Sequence, residues 1–301
     1  MHILITGGTG FIGRHLIPHL LAHHHQITVL TRHELRAYQQ LGHEIHVITD
    51  LNFLAHLNAF DAIINLAGEP IANGRWSQRK KQRICHSRWN ITEQLATKIA
   101  LSQSPPSVFI SGSAVGIYGD QGDTILTEQF KDFRNDFAHH VCQQWEQLAL
   151  AATDNCRVCI LRTGLVLGHT GGLFRSILPL FKAGLGGPLG NGSHYQPWIH
   201  MHDMVHAIEY LLNTRQCQGV YNLTAPNPVS NRRFSQILAT HLHRPCWLKV
   251  PTPLLTLTLG ELSQLLLSSQ RAVPEKLCAA GFHFMFEQLD DAIHELLSHH
   301  R

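Results

Sequence analysis

The stretch that decides the fold is MHILITGGTGFIG, at residues 1–13. An apolar run that predicts a strand leads into a turn with Gly7, Gly10 and Gly13, and a helical pattern opens at Phe11. Glycines at this spacing allow a tight turn, a close approach of backbone to a pyrophosphate, and close packing of helix on strand. The free N–H groups and positive dipole end of the helix then favour phosphate. The stretch therefore predicts a dinucleotide site.

The end of the second predicted strand indicates which dinucleotide is bound. That strand covers 26–31 and is followed by Arg32, which lies 19 residues beyond Gly13, and no acidic residue ends the strand. An acidic residue in this region binds the ribose 2′-hydroxyl of NAD, whereas an arginine accommodates the 2′-phosphate of NADP. We therefore expect NADP(H) rather than NAD(H). The alternative is an arginine that is simply exposed at a strand terminus.

Strands and helices alternate over the first 168 residues, which predicts an α/β fold: a Rossmann-like, doubly wound parallel sheet. Strands are predicted at 2–6, 26–31, 44–49, 61–66, 107–111 and 157–161, and helices at 11–22, 77–101 and 132–152. Residues 169–301 begin with a glycine-rich, loop-heavy stretch and predict a smaller, mostly helical substrate lobe, with parts of 203–223 returning to the sheet. Its helices are predicted at 203–213, with Asp203 as N-cap, and at 231–243, 254–267, 274–280 and 288–298, with a strand at 219–223.

Composition limits the classes of function. A formal net charge of +3 over 301 residues gives no support for nucleic-acid binding. The basic run at 79–83 is interpreted as the solvated start of a helix. No apolar run approaches the roughly 20 residues that cross a membrane, and no signal peptide is evident. These features predict a cytoplasmic protein, monomeric or homodimeric, that acts on a small molecule.

Some cysteines and histidines have spacings that occur in functional sites. Cys156 and Cys159 have the C-x-x-C spacing of a redox or zinc site, but they open a predicted core strand and no second pair follows. The 24 histidines include tracts at 23–25 and 299–300, yet no spacing places three of them together. We expect no metal site, although incidental metal affinity at the tracts stays open.

Several stretches together resemble a known family. They are TGGTGFIG at 6–13, NLAGEPI at 65–71, SR at 87–88, WE at 145–146, RTGLVLG at 162–168, GGPLG at 186–190, WIH at 198–200 with Asp203, GE at 260–261, and PEKL at 274–277 with GF at 281–282. They are similar to extended short-chain dehydrogenases/reductases, and more narrowly to the atypical "epimerase family" of YfcH-like and SDR39U1-type proteins. A small C-terminal domain of unknown function, DUF1731, marks that family and would lie at about 248–298.

The resemblance implies bound NADP(H) and a set of contacting residues. Gly7, Gly10, Phe11, Ile12 and Gly13 would form the pyrophosphate turn. Further positions would line the adenosine ribose, the ribose crevice and the remaining cofactor surface: Thr31, Arg32, Leu66, Ala67, Gly68, Arg88 and Val166. For Arg88, a place on the surface is an equally reasonable interpretation.

The expected catalytic residues are altered. Active members of the superfamily use a serine or threonine after strand five and a Tyr-x-x-x-Lys pair, in which lysine favours the phenolate. Alignment on Glu146 places His139 at the tyrosine position and Gln143, which is uncharged, at the lysine position. The serine is also uncertain, because Ala114 occupies its expected place and Ser113 flanks it. The candidates for catalysis are Ser113, Tyr118, His139 and His200. As the acid–base group, His139 has two rivals, His200 and His202.

Some of these candidates also have a purely structural interpretation. A lone helical histidine such as His139 is more often a surface residue, and Tyr118 could merely line the pocket. Two functions therefore follow: an NADP(H)-dependent oxidoreductase or epimerase with a rearranged acid–base group, acting on a sugar nucleotide or carbonyl metabolite, or a silent NADP(H)-binding sensor or scaffold. A sugar-nucleotide-binding module is a weaker third interpretation.

Overall fold

The computed structural model of the chain describes residues 1–72 and 74–298. The strands of the described residues are, in chain order, β1 (His2–Thr6), β2 (Gln26–Leu30), β3 (His46–Ile48), β4 (Ala62–Asn65), β5 (Val108–Ala114), β6 (Ile125–Leu126), β7 (Arg157–Thr163), β8 (Leu165–Leu167), β9 (Tyr195–Gln196), β10 (Trp198–His200), β11 (Gly219–Leu223), β12 (Val229–Ser230) and β13 (Arg271–Ala272). The α-helices are α1 (Gly13–Ala22), α2 (Glu34–Leu41), α3 (Gln78–Ala100), α4 (Phe137–Leu150), α5 (Gly172–Lys182), α6 (Met201–Asn213), α7 (Asn231–His241), α8 (Thr252–Leu259), α9 (Leu262–Leu267), α10 (Glu275–Ala279) and α11 (Leu289–Ser298).

A seven-stranded sheet in the order β11-β7-β5-β4-β1-β2-β3 organises the molecule. All of its strand pairs are parallel. The chain moves outward from β1 to β3 and then returns to β4 on the other side of β1. The boundary between β1 and β4 is therefore the topological switch point, where open α/β sheets form their ligand crevice. The predicted fold class is confirmed.

Helices cover both faces of this sheet. Alternate residues of β1 show it: Ile3 and Ile5 pack among residues of α1 and α6, whereas Leu4 packs among residues of α3 and α4. All three side chains are fully buried. A strand covered on both faces needs apolar residues at every position, which is why its sequence shows no polar alternation.

The second half of the chain forms a smaller unit beside the carboxyl edge of the sheet. The pairs β8–β10 and β9–β12 build two short ladders, and α5, α7 and α11 pack around a separate apolar cluster that includes Trp198 and Phe234. The strand β11 belongs to the central sheet, where it pairs with β7. Every helix among the described residues is too short or too polar to cross a bilayer.

Several local expectations were wrong. The helix expected at 254–267 is split into α8 and α9, because Gly260 adopts a φ of 59° that ends the first helix. The loop-heavy stretch after 168 contains α5, and α2 was not anticipated. The basic run at 79–83 is not wholly solvated, since Lys80 is buried and its Nζ donates to Glu69 Oε1 at 2.7 Å.

The start of α6 also differs from its prediction. The N-cap is His200, whose Nδ1 accepts a hydrogen bond from the backbone N of His202 at 3.2 Å. Asp203 lies inside the helix, and its carboxylate accepts from the backbone N–H groups of Met285 and Phe286 at 2.8 and 3.0 Å. Asp203 is fully buried there. It therefore fastens the segment before α11 to α6 instead of capping α6.

Candidate functional site

The glycine turn between β1 and α1 is packed tightly against the end of β4. Gly7 has a φ of 69°, and a Cβ there would lie 2.5 Å from the carbonyl oxygen of Leu66. A Cβ on Gly13 would lie 2.5 Å from the carbonyl oxygen of Gly8. The backbone N–H of Gly10 donates to the Gly7 carbonyl at 2.9 Å, which closes the turn. Side chains are therefore excluded at these positions, and the backbone surface stays open to a ligand.

The helix that follows the turn has no side chain capping it. Ile12 is its N-cap and makes no side-chain cap hydrogen bond, and no acidic residue lies in the first turn. The first N–H groups of a helix need partners from outside the helix. An anionic ligand can supply them and is favoured there by the helix dipole. The residues of the turn thus fit a pyrophosphate.

A second loop lies against the turn through Phe11. A Cβ on Gly168, Gly171 or Gly172 would come within 3.0, 2.7 and 2.8 Å of the Phe11 ring, respectively. The loop between β8 and α5 is therefore glycine-rich because it packs flat on this ring. Val166 lies in β8, one residue before the end of that strand, and is mostly buried. The predicted cofactor residues Phe11 and Val166 are in this way brought to one side of the molecule.

A chain of buried polar side chains fixes the crevice between β1 and β4. Thr6 Oγ1 donates to Asn65 Oδ1 at 2.6 Å, and Asn65 Nδ2 donates to Thr92 Oγ1 at 2.8 Å. The backbone N–H of Ala67 donates to Thr6 Oγ1 at 3.2 Å. The predicted segment Leu66–Gly68 is thereby tied to the end of β1, directly beside the glycine turn.

Arg88 lies beneath that segment and is partly buried. Its Nη1 donates to the carbonyl oxygens of Glu69 at 3.1 Å and Ile84 at 3.0 Å. A Cβ on Gly68 would lie 2.9 Å from Arg88 Cζ, and the guanidinium lies 5.2 Å from the centre of the Trp145 ring. Burial lowers the pKa of Arg88. Arg88 therefore supports the loop after β4, a role that neither sequence interpretation included.

Thr31 and Arg32 follow β2 at the same edge of the sheet. The backbone N–H of Thr31 donates to the carbonyl of Ile48 at 3.0 Å, which holds the strand end in the sheet. Arg32 is exposed. Its charge is one of those that lower the pKa of Glu69, although the hydrogen bond from Lys80 is the main cause. The guanidinium is thus open to a ligand that carries negative charge.

A buried network joins Ser113, Glu146, Arg162, Tyr118 and Asn222. Ser113 Oγ donates to Glu146 Oε1 at 2.7 Å. Arg162 donates to the same carboxylate through Nε at 2.9 Å and Nη2 at 2.8 Å. Its Nη1 donates to the Tyr118 hydroxyl at 3.1 Å, and that hydroxyl donates to Asn222 Oδ1 at 2.7 Å. The network spans β5, α4, β7 and β11, so only the fold assembles it.

Tyr118 is fully buried inside this network. Burial raises the pKa of Tyr118, and the neighbouring Arg162 offsets this only in part. A raised pKa disfavours the phenolate that a catalytic tyrosine of this superfamily needs. The structure therefore places Tyr118 as a packed member of the core and not at an open surface of the pocket.

His139 is buried, so the interpretation of it as a surface residue was wrong. It lies in the first turn of α4, where Asp136 is the N-cap and accepts from the His139 backbone N–H at 2.8 Å. Its ring Nδ1 lies 2.7 Å from the carbonyl oxygen of Ile117. Because a carbonyl only accepts, Nδ1 carries the proton, and Nε2 of the neutral ring is a proton acceptor.

His200 belongs to different surroundings. Its Nε2 lies 3.0 Å from Glu295 Oε2 on α11, and its ring centre lies 4.0 Å from that of Phe286. Burial lowers the pKa of His200, against the opposing effect of Glu295. His202 is more exposed, and its ring stacks on His206. The structure thus brings Ser113, Tyr118 and His139 to the region of β5 and α4 but places His200 among α6 and α11.

The two cysteines with zinc-knuckle spacing are free thiols at the start of β7. Burial raises the pKa of Cys156 and of Cys159 to about 11 in each case. Both groups are thus protonated thiols at neutral pH, as expected of residues that open a core strand. The histidine tract at 299–300 lies outside the described residues.

Residues 3–224 match the model of the family described as "NAD dependent epimerase/dehydratase family", and residues 250–296 match "Domain of unknown function (DUF1731)". This chain belongs to the NAD dependent epimerase/dehydratase family. The resemblance noted from the sequence, including that to DUF1731, is confirmed.

Relatives of this family member match along nearly the whole chain. The chloroplastic "Epimerase family protein SDR39U1 homolog" of Arabidopsis thaliana is 36% identical over 99% of this chain and 87% of its own. "Epimerase family protein YfhF" of Bacillus subtilis is 35% identical over 99% and 98%. The crystal structure of human epimerase family protein SDR39U1 with NADPH is 30% identical, covers 99% of each chain and superposes with a TM-score of 0.91.

Sequence reasoning about this epimerase family member missed several residues of the site. Thr6, Asn65 and Thr92 form the polar chain at the crevice, and Arg162 and Asn222 complete the buried network. Polar residues inside or at the ends of apolar strands were the available signal, because such residues are buried only with partners. Their partners lie far along the chain, so the pairing itself had no signature.

Trp145 was indicated by the sequence only through the family resemblance. Its Nε1 is buried and has no hydrogen-bond partner among the described residues. A Cβ on Gly112 would lie 2.9 Å from the indole ring, so that glycine makes room for it. A buried donor without a partner is costly. Trp145 lies between Arg88 and Gly112 and is therefore a candidate to donate to a bound molecule.

Proposed function

We propose that this protein is an NADP(H)-dependent oxidoreductase or epimerase-like enzyme that acts on a small molecule, either a sugar nucleotide or a carbonyl metabolite. The observation that carries the proposal is the glycine turn at the β1–β4 switch point. It has no space for side chains, and the helix behind it has no side-chain cap. The human relative of known structure was crystallised with NADPH and superposes over nearly the whole chain, which supports the cofactor.

The geometry supports the following cofactor contacts. The backbone N–H groups of Phe11, Ile12 and Gly13 would meet the pyrophosphate, while the Gly10 N–H closes the turn on Gly7. Thr31 and the exposed Arg32 would lie at the adenosine ribose, where the guanidinium favours a 2′-phosphate. The Leu66–Gly68 segment, held by Thr6 and supported by Arg88, would line the remaining ribose crevice. The bound cofactor would exchange a hydride with a substrate carbon.

The acid–base work is proposed to rest on Ser113 and His139 instead of a tyrosine–lysine pair. Ser113 donates its hydroxyl hydrogen bond to Glu146, so its oxygen can accept a hydrogen bond from a substrate hydroxyl. The Nδ1–H of His139 donates to the Ile117 carbonyl, so Nε2 is the nitrogen that can accept a proton. Nε2 would take the hydroxyl proton of the substrate as the substrate carbonyl forms, and return it in the reverse direction. Arg162 and Tyr118 hold Glu146 in place and do not exchange protons with substrate.

A second function has specific support. Gln143 cannot supply the positive charge that lysine does, and Tyr118 is buried with a raised pKa. These two features suit a protein that binds NADP(H) without turnover, as a sensor or scaffold does.

Binding and turnover are separable in one experiment. The purified protein is titrated with NADPH by calorimetry and then incubated with NADPH or NADP⁺ and pools of sugar nucleotides and carbonyl metabolites. Nicotinamide absorbance and product mass are followed. We expect turnover that falls at least a hundredfold in Ser113→Ala and His139→Ala, which is the scale of acid–base catalysis. The control is His140→Ala, the exposed neighbour of His139.

The other outcomes are equally informative. Tight NADPH binding with no product in any pool favours the sensor. Turnover that is unchanged in both variants overturns the assigned acid–base residues, and an absence of NADPH binding overturns the proposal as a whole.

A further inference from the structure

Two histidines and a glutamate meet where the end of α1 packs on α6. His19 Nε2 lies 2.6 Å from Glu209 Oε2, and His23 Nδ1 lies 2.6 Å from Glu209 Oε1. One ligand atom from each of the three residues lies within 4.8 Å of the others. The two imidazole centres are 4.5 Å apart. The histidine spacing in the sequence predicted no metal site, because the third group here is a carboxylate that lies 186 residues away from His23.

The local sequence explains the convergence. His19 lies in the last turn of α1 and His23 is its C-cap residue four positions later, so both side chains lie on the same side of the helix end. α6 packs against α1 through the shared core, which brings Glu209 opposite them. His206 lies one turn before Glu209, and its ring centre is 4.7 Å from that of His19. Its Nδ1 lies 2.8 Å from the carbonyl of His202 and so holds the proton, which leaves Nε2 as the acceptor nitrogen.

The donor set and its accessibility suit a metal ion. In proteins, Zn²⁺ binds to sets of two imidazole nitrogens and one carboxylate, with water or another histidine in the fourth position. The side chains of His19 and Glu209 are mostly buried, whereas that of His23 is 51% exposed, so an ion has a path from solvent.

We propose that His19, His23 and Glu209 form a Zn²⁺ site that links α1 to α6. Zn²⁺ would take the place of the two imidazole–carboxylate hydrogen bonds, and the displaced protons would be released to solvent. The site lies at the opposite end of α1 from the glycine turn, so it is structural and separate from the proposed cofactor contacts. Because α1 and α6 cover the same face of the sheet, the ion would stabilise the packing of that face.

The test uses the full chain without an affinity tag, stripped with a chelator and then titrated with zinc alone. We expect one Zn²⁺ per chain by calorimetry and elemental analysis, a rise in melting temperature on binding, and a four-coordinate visible spectrum with Co²⁺. His19→Ala and Glu209→Gln should each weaken zinc binding at least tenfold and abolish the rise in melting temperature.

The matched control is His24→Asn, in the same histidine tract. His24 has a φ of 60°, which asparagine tolerates, and it is exposed. It should bind zinc as the native protein does. Circular dichroism of each variant without zinc checks that the fold is intact. The proposal is overturned if the native chain binds no zinc stoichiometrically. It is also overturned if Glu209→Gln binds as well as the native chain, or if His24→Asn weakens binding as much as His19→Ala.

Discussion

Arg162 on β7 binds both carboxylate oxygens of Glu146 on α4, at 2.9 and 2.8 Å, and both side chains are almost wholly buried. Burying two charges is costly, and paired geometry of this kind repays the cost only when both partners are present. The pair therefore joins the sheet to α4 in the region where Ser113 and His139 lie. We expect a substitution at Glu146 or Arg162 to change the position of Ser113 through the hydrogen bonds that join the three side chains.

Removing one charge of this pair should destabilise the protein strongly. Glu146→Gln leaves Arg162 buried without its counter-charge, and we expect a loss of about 3–5 kcal/mol in the free energy of unfolding. Chemical denaturation measures it. Glu261→Gln, which removes the same charge from the more exposed pair with Lys81, is the control and should cost less than about 1 kcal/mol. Equal losses in the two variants would show that the buried pair contributes no more than a surface pair.

A methyl group on Gly7 should affect the proposed cofactor site more than backbone strain alone would. Gly7 and Gly42 both have positive φ, at 69° and 84°, but a Cβ on Gly42 meets nothing within 4 Å. Gly42→Ala should therefore lose about 1–3 kcal/mol of stability and keep its NADPH affinity. Gly7→Ala also drives a methyl group into Leu66, so its NADPH affinity should fall at least tenfold. Calorimetric titration of both variants decides the matter, and native affinity in Gly7→Ala would contradict the assigned turn.

Reversing the charge at Arg32 should change cofactor preference. The exposed guanidinium follows β2, where a 2′-phosphate would lie. Arg32→Glu should lower the affinity for NADPH at least tenfold and leave that for NADH nearly unchanged. Arg215→Glu, an exposed arginine after α6, controls for the change in net charge. If both variants lose NADPH affinity equally, the effect is one of overall charge and not of a phosphate contact.

The Glu69–Lys80 contact predicts a pH-dependent contribution to stability. The hydrogen bond from Lys80 is the main cause that lowers the pKa of Glu69 from its ordinary value of 4.5. A lowered folded pKa gives stability that is complete above the unfolded pKa and is lost as pH falls through the folded one. Glu69→Gln should thus melt below the native protein at pH 7, and the gap should narrow below about pH 4.5. Melting curves across this range measure the gap.

Glu93→Gln, at an exposed position on α3, is the control for the loss of one negative charge. A gap between Glu69→Gln and the native protein that stays constant from neutral to acidic pH would mean that Glu69 titrates alike in both states. The contact with Lys80 would then carry no pH dependence.

Local patterns in the chain were enough to predict the central fold. The apolar run 2–6 and the glycines at 7, 10 and 13 specify a strand, a turn and a helix with little help from elsewhere, because only glycine fits those backbone positions. Strand 219–223 was predicted with its exact bounds. The helix expected at 254–267 failed at Gly260, since a positive φ ends a helix whatever the apolar pattern around it.

The tertiary structure decided how the polar groups are paired. Asp203, expected to cap α6, instead accepts from backbone groups of residues 285 and 286. His139, expected at the surface, is buried, and its Nδ1–H donates to the carbonyl of Ile117.

The sequence by itself therefore determined the strand–turn–helix unit, the parallel sheet and the family, because these depend on periodicity and on glycine at fixed spacing. The fold alone decided the Ser113–Glu146–Arg162–Tyr118–Asn222 network and the meeting of His19 and His23 with Glu209. Those partners lie on different elements, from 16 residues apart in the pair Arg162–Glu146 to 190 residues apart in the pair His19–Glu209. Hydrogen bonds and ion pairs act over a few ångströms in space. The positions of two residues along the chain therefore do not show whether their side chains are paired.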